Sequence, residues 1–193
     1  MTIPVRGNLD HASASEPRPV QFQDLRNALG MFATGVTIVT TGSATDDPVG
    51  VTANSFSSMS LDPPLVVWGI SRSARSFKRF HSAPHWAVHV LSVEQESLAR
   101  RFATQGADKF AGLPLTAGIG GVPLLEGCCA RFECSAAAAH DAGDHVILVG
   151  AIERFSRSNI APLVFRGGKF AITLDSSNGS WQFSGAAGRQ EHL

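Results

Sequence analysis

Little in this chain advertises a partner by charge. Its 193 residues carry 16 Lys+Arg against 16 Asp+Glu, a formal net charge of zero. No global field therefore exists to hold nucleic acid or an anionic membrane, and neither is expected as a partner. Any anion bound here must be met by a local cluster of donors. Cysteine is scarce: Cys128, Cys129 and Cys134 are the only three. They lack CxxC spacing and a second pair, which argues against a disulfide framework or a zinc site and for buried thiols in a reducing compartment. No apolar run approaches the roughly 20 residues of a spanning helix. The opening MTIPVRGNLDHASASEPRPV has no signal-peptide core, so a soluble cytoplasmic protein is expected. Walker A, nucleophile-elbow and HExxH motifs are missing, and Gly118, Gly120 and Gly121 have the wrong spacing for a dinucleotide fingerprint, with Pro123 where a helix should open. A nicotinamide nucleotide, if used, would not sit in a Rossmann fold.

What is present reads as one domain, since a core of this size buries roughly 70% of the unfolded chain's surface. Residues 1–20 form a polar arm, 21–173 the folded domain, and 174–193 a tail that keeps Trp181 and Phe183. Phe22, Leu25, Leu29 and Phe32 recur at helical spacing, so a helix is predicted over 21–33, closed by Gly35. GVTIVTT and VGVTANSFSSMSL read as a hairpin with its loop near Asp46 to Pro48, and LVVWGI as a buried strand. SRSARSFKRF is a short helix candidate, HWAVHVL a strand, and Ser92 to Gln95 a capping box opening a helix to Thr104. Further strands are predicted over 127–139, 145–155 and 162–173. Strands outnumber helices and connections are hairpin-length, which predicts a mainly β, closed or nearly closed antiparallel barrel with flanking helices.

Two stretches carry candidate chemistry. SRSARSFKRF gathers Arg72, Arg75, Lys78 and Arg79, with Ser71, Ser73 and Ser76 between them. Hydroxyls, guanidinium forks and the backbone N–H groups of a turn entering a helix suit a phosphate, although a solvated basic helix face would look the same. In GVTANSFSS, Val51, Ala53, Ser55 and Ser57 would face one way along a strand and Thr52, Asn54 and Phe56 the other. Small and amide-bearing residues of this kind let a planar heterocycle approach the backbone; an ordinary edge strand is the competing reading.

Taken with LRNALGMFATGVTIVTT, LARRFA followed by DKF, and GDHVILVGAIERF, these stretches resemble, in order and spacing, the flavin reductase-like family, whose fold is the FMN-binding split barrel. The likeness runs over about residues 21–172. It implies a homodimeric NAD(P)H:flavin oxidoreductase that reduces FAD or FMN and supplies reduced flavin to a flavin-dependent monooxygenase. It implies ring contacts from Thr52, Ala53, Asn54, Ser55 and Ser57, and phosphate contacts from Ser71, Arg72, Ser73, Ala74 and Ser76. Arg101, Phe102 and Ala103 would approach the phosphates or ribityl chain. His145 would stand beside the nicotinamide, with Gly143 and Asp144 shaping its turn, and Gly167 to Phe170 would line the nicotinamide side. An FMN-retaining oxidase of the pyridoxamine-phosphate type, or a non-catalytic flavin- or haem-binding protein, would share the fold. Other features are read as structural: the His81, His85, His89 series, which Pro84 interrupts; Trp68 and Trp86; and the loop Asp108-Lys109-Phe110.

Overall fold

A computed structural model describes residues 21–106 and 108–172; the predicted arm and tail lie outside these residues. The chain opens with α1 (Phe22–Leu29), followed by β1 (Thr34–Gly35), β2 (Thr37–Gly42), β3 (Pro48–Ala53), β4 (Ser57–Leu61) and β5 (Pro64–Ser71). Next come α2 (Phe77–His81), β6 (His85–Val90), α3 (Glu96–Ala103), β7 (Thr116–Ala117) and β8 (Pro123–Leu124). A long hairpin of β9 (Ala130–Ala142) and β10 (His145–Arg157) precedes a short one of β11 (Leu163–Arg166) and β12 (Lys169–Ile172).

Seven strands form one sheet in the order β3-β2-β6-β9-β10-β5-β4, with every neighbouring pair antiparallel. The expectation of a mainly antiparallel β protein with few helices holds. The sheet curls until strands from both ends share one core: Val49 and Val51 of β3 pack against the cluster that holds Val66, Trp68 and Ile70 of β5. Trp68 lies edge-on to Phe80 and Trp86, at 5.0 and 6.0 Å between ring centroids. Both tryptophans are core residues, as expected.

Alternation explains which strands have one wet face. Along β5, Val66, Trp68 and Ile70 are buried and the residues between them are not, as for a strand with solvent on one side. β2 is buried along both faces: Val39 joins the first core, and Ile38 joins a second with Val36, Leu91, Ala99, Phe102, Leu125 and Leu163. This second core seats α3, through Ala99 and Phe102, against the back of the sheet. A three-stranded sheet, β1-β11-β12, closes the other side.

Several boundaries differ from the sequence expectation. α1 stops at Leu29, where the Gly30 N–H donates to the Arg26 carbonyl and the Met31 N–H to that of Ala28, and Gly35 belongs to β1. The capping box forms, Gln95 Oε1 accepting from the Ser92 N–H at 3.1 Å, but the first turn is 3₁₀ and α3 follows it. The strand predicted over 162–173 is a hairpin, turned at Gly167 and Gly168 with φ of +57° and +79°, angles that favour glycine. The strand through GVTANSFSS breaks after Ala53. In consequence Phe56 packs on the same core as Val51 and Ala53 instead of facing away from them.

Candidate functional site

A cleft of about 560 Å³ lies between β3, α3 and the β11–β12 hairpin, within the size range of cofactor pockets. Its walls are Val36, Thr52 and Asn54 on one side, Ala99, Arg100 and Ala103 of α3 with its C-cap Thr104 on another, and Phe165, Gly168 and Phe170 on the third. Two ties set the spacing of the first two walls. Thr52 Oγ1 donates to the Ala99 carbonyl at 2.6 Å, and Lys109 Nζ donates to the carbonyls of Phe102 and Gly50 at 2.7 and 3.1 Å. Burial holds the Lys109 ammonium below its usual range, because a low-dielectric setting disfavours the charged form. Asn54 offers an amide to the cleft and makes no side-chain hydrogen bond among the described residues.

The second group of predicted residues sits at the end of the β5–β10 ladder. Ser55, next in the chain to Asn54, is tied to β5: its hydroxyl donates to the Gly69 carbonyl at 3.1 Å and accepts from the Gly69 N–H at 3.0 Å. Two residues further along β5, Ser71 pairs across the ladder with His145. The Arg72 N–H donates to the Asp144 carbonyl at 2.9 Å, and the Arg72 guanidinium is ion-paired with Asp141. The structure thus brings the serine-rich turn and the Gly143-Asp144-His145 turn together. Ser71 and Ser73 share a hydrogen bond of 2.9 Å between hydroxyls, while Ser76 occupies the N-cap position of α2 without a side-chain cap bond. Asp144 Oδ1 accepts from His145 Nδ1 at 2.7 Å, and that hydrogen bond keeps the Asp144 carboxyl below the ordinary range. With Nδ1 carrying the donated hydrogen, a neutral His145 ring presents Nε2 as its free acceptor.

Not every predicted residue reaches these surfaces. Phe102 is wholly buried, its ring edge-on to Phe110 at 4.9 Å, so it faces the core and not the cleft. The Arg101 guanidinium is spent on the carbonyls of Asp108 and Ala111, at 2.7 and 2.6 Å through Nη2. Ala74 packs on the first core. Ser57 is exposed on β4, its hydroxyl donating to the Ser58 carbonyl at 3.2 Å. Residues 101, 102 and 103 are consecutive on a helix and cannot share a face; Ala99, Arg100, Ala103 and Thr104 do, at the i, i+3, i+4 spacing. That periodicity was the signal for Arg100, Ala99 and Thr104, which the motif alone did not single out. Val36 and Phe165 carried no comparable signal.

His89 is fully buried and serves the core. Its Nδ1 donates to the Ile38 carbonyl at 3.0 Å, and its Nε2 accepts from the Leu125 N–H at 3.1 Å. Burial lowers its pKa to about 4. Cys134, buried in the first core, has its thiol pushed up to about 12. A second, smaller cavity of about 220 Å³ beside Arg79, Ser82 and His85 is bordered by an Arg79–Asp47 ion pair.

The curled antiparallel sheet thus carries a cleft walled by β3, α3 and the β11–β12 hairpin and, at the end of β5, a serine-rich basic turn that meets a histidine turn, donors and apolar walls of the kind that could hold a flat, phosphate-bearing cofactor. The pattern described as "Flavin reductase like domain" matches residues 29–173. The chain belongs to the flavin reductase-like family. It is 48% identical over 148 residues to the FMN reductase (NADH) SmoA of Agrobacterium fabrum, covering 77% of this chain and 84% of that one. It is 37% identical over 149 residues to the flavin-dependent monooxygenase reductase subunit HsaB of Mycobacterium tuberculosis, covering 75% and 79%. Among solved structures, the NADH:FAD oxidoreductase SgcE6 of Streptomyces globisporus, in complex with NAD and FAD fragments, superposes with a TM-score of 0.77 at 36% identity, covering 84% of this chain and all of that one. No helix among the described residues is long and apolar enough to cross a membrane.

Proposed function

We propose that this chain is an NAD(P)H-dependent flavin reductase that passes hydride from the nicotinamide nucleotide to FAD or FMN. The observation that carries the reading is the meeting of the serine-rich turn with the His145 turn, Ser71 opposite His145 and the Arg72 N–H on the Asp144 carbonyl. A flavin fits these residues: Val36, Phe165 and Phe170 give apolar walls, Gly168 allows close approach, and the Asn54 amide meets a polar ring edge. Bound flavin supplies the hydride-accepting ring, chemistry that no side chain here provides. The protein's part is to align two rings and exclude water, which explains a site without a nucleophile–base pair. His145, held by Asp144, orients or polarises the nicotinamide and is not an obligatory base. That position favours a reductase over a pyridoxamine-phosphate-type oxidase or a pure binder, which needs no nicotinamide site.

The finer architecture follows the same reading. The curled sheet with β3 and β4 at its two ends supports a split barrel. The apolar face of α1 and the turn after it, with Phe22 86%, Leu29 67% and Phe32 78% exposed, supports a homodimer in which a second copy covers this face. Free thiols at Cys128, Cys129 and Cys134 fit a cytoplasmic setting. By analogy with HsaB, reduced flavin passes to a flavin-dependent monooxygenase.

Steady-state oxidation of NADH with and without added FMN or FAD tests the reading. Flavin-dependent loss of the nicotinamide absorbance is expected. In His145→Ala the KM for NADH should rise more than the Kd for flavin; weakened flavin binding with unaltered NADH kinetics would remove the His145 assignment.

A further inference from the structure

Arg100 is the one charged side chain among the described residues that line the cleft. Two other cations close to these walls are committed elsewhere: Arg101 to two loop carbonyls and Lys109 to Gly50 and Phe102. Arg100 is held more lightly. Its Nε and Nη2 donate to the same Glu96 oxygen, at 2.9 and 2.7 Å, and its Cζ lies 4.8 Å from the Phe170 ring centroid. Of the five guanidinium N–H groups, three remain for another acceptor. The Glu96 pair is exposed, at 65% and 46% of the two side chains, and such i,i+4 surface pairs are weak. Phe170 holds the guanidinium plane, so an incoming anion would meet a fork already oriented.

We propose that Arg100 anchors a nucleotide phosphate in this cleft, with the Glu96 carboxylate as a placeholder that the phosphate displaces. The proposal rests on the reading of the cleft as the flavin and nicotinamide site. It also moves the α3 contact from Arg101 to Arg100 and gives Glu96 a role opposed to binding.

The test is fluorescence titration of the whole chain with riboflavin, FMN, FAD and NADH, since riboflavin carries the flavin ring without a phosphate. Arg100→Gln should weaken a phosphate-bearing ligand about tenfold, as expected for the loss of one charge-assisted contact, and change riboflavin less than twofold. Glu96→Gln should tighten that same ligand about twofold. An effect confined to FMN and FAD assigns the flavin phosphate; one confined to NADH assigns that of the nicotinamide nucleotide. Equal weakening of riboflavin and FMN would make Arg100 a wall residue and overturn the proposal, as would unchanged affinities in Arg100→Gln. Weaker phosphate binding in Glu96→Gln would make the pair a brace and overturn it too. Failure of the unaltered protein to bind any of the four would overturn the cleft reading along with it.

Discussion

Acidification from pH 6.5 to 4.5 should destabilise this fold by about 2–3 kcal/mol through His89 alone. The ring is fully buried between the Ile38 carbonyl and the Leu125 N–H. Its Nε2 is already an acceptor, so protonation would both charge a buried group and set two donors against each other. Burial therefore lowers its pKa from 6.5 to about 4. The unfolded chain takes the proton near 6.5 and the folded one only near 4, so acid favours unfolding. The stability is intact above pH 6.5 and falls by about 1.4 kcal/mol per pH unit towards pH 4. Urea unfolding at pH 7 and pH 4.5 measures this, with His89→Gln as the control. The variant should be less stable at pH 7 but lose about 2–3 kcal/mol less on acidification, other titrating groups being common to both proteins. Equal losses in the two proteins would refute a neutral buried His89.

Two further substitutions probe the walls of the cleft. In Gly50→Ala the new methyl would overlap Phe102 Cε1 and lie 3.0 Å from Phe110 Cζ. This overpacking should cost about 1–3 kcal/mol, visible as a lowered Tm, and should weaken flavin binding by shifting α3. Lys109→Met leaves the Phe102 and Gly50 carbonyls without their shared donor. It should cost about 1–3 kcal/mol and raise the KM for flavin with kcat at saturating flavin retained, read from steady-state kinetics and thermal denaturation.

The strands were legible in the sequence because their physics is local. After its glycine, GVTIVTT is β-branched throughout, and β2 buries both faces; LVVWGI, a continuous apolar run, reads as a fully buried strand, and β5 forms there but buries only alternate residues. Less legible was anything set by a turn. Gly167 and Gly168 fold one predicted strand into a hairpin, and the break after Ala53 turns Phe56 to the core. The site divides in the same way. Ser71, Arg72 and His145 were singled out from residue type and motif, and the β5–β10 pairing brings them together. Arg101 and Arg100 are chemically alike in sequence, and the two differ by the 100° between successive helical residues. Lys109 reads as a loop charge until the fold sets Gly50 and Phe102 within its reach.

The central claim is tested most directly by anaerobic mixing of the purified protein with NADH and excess FMN while both absorbance bands are followed. Flavin bleaching in step with NADH loss, at a rate proportional to protein concentration, is the predicted result. Flavin that stays oxidised while NADH persists, in protein shown to be folded, would contradict it.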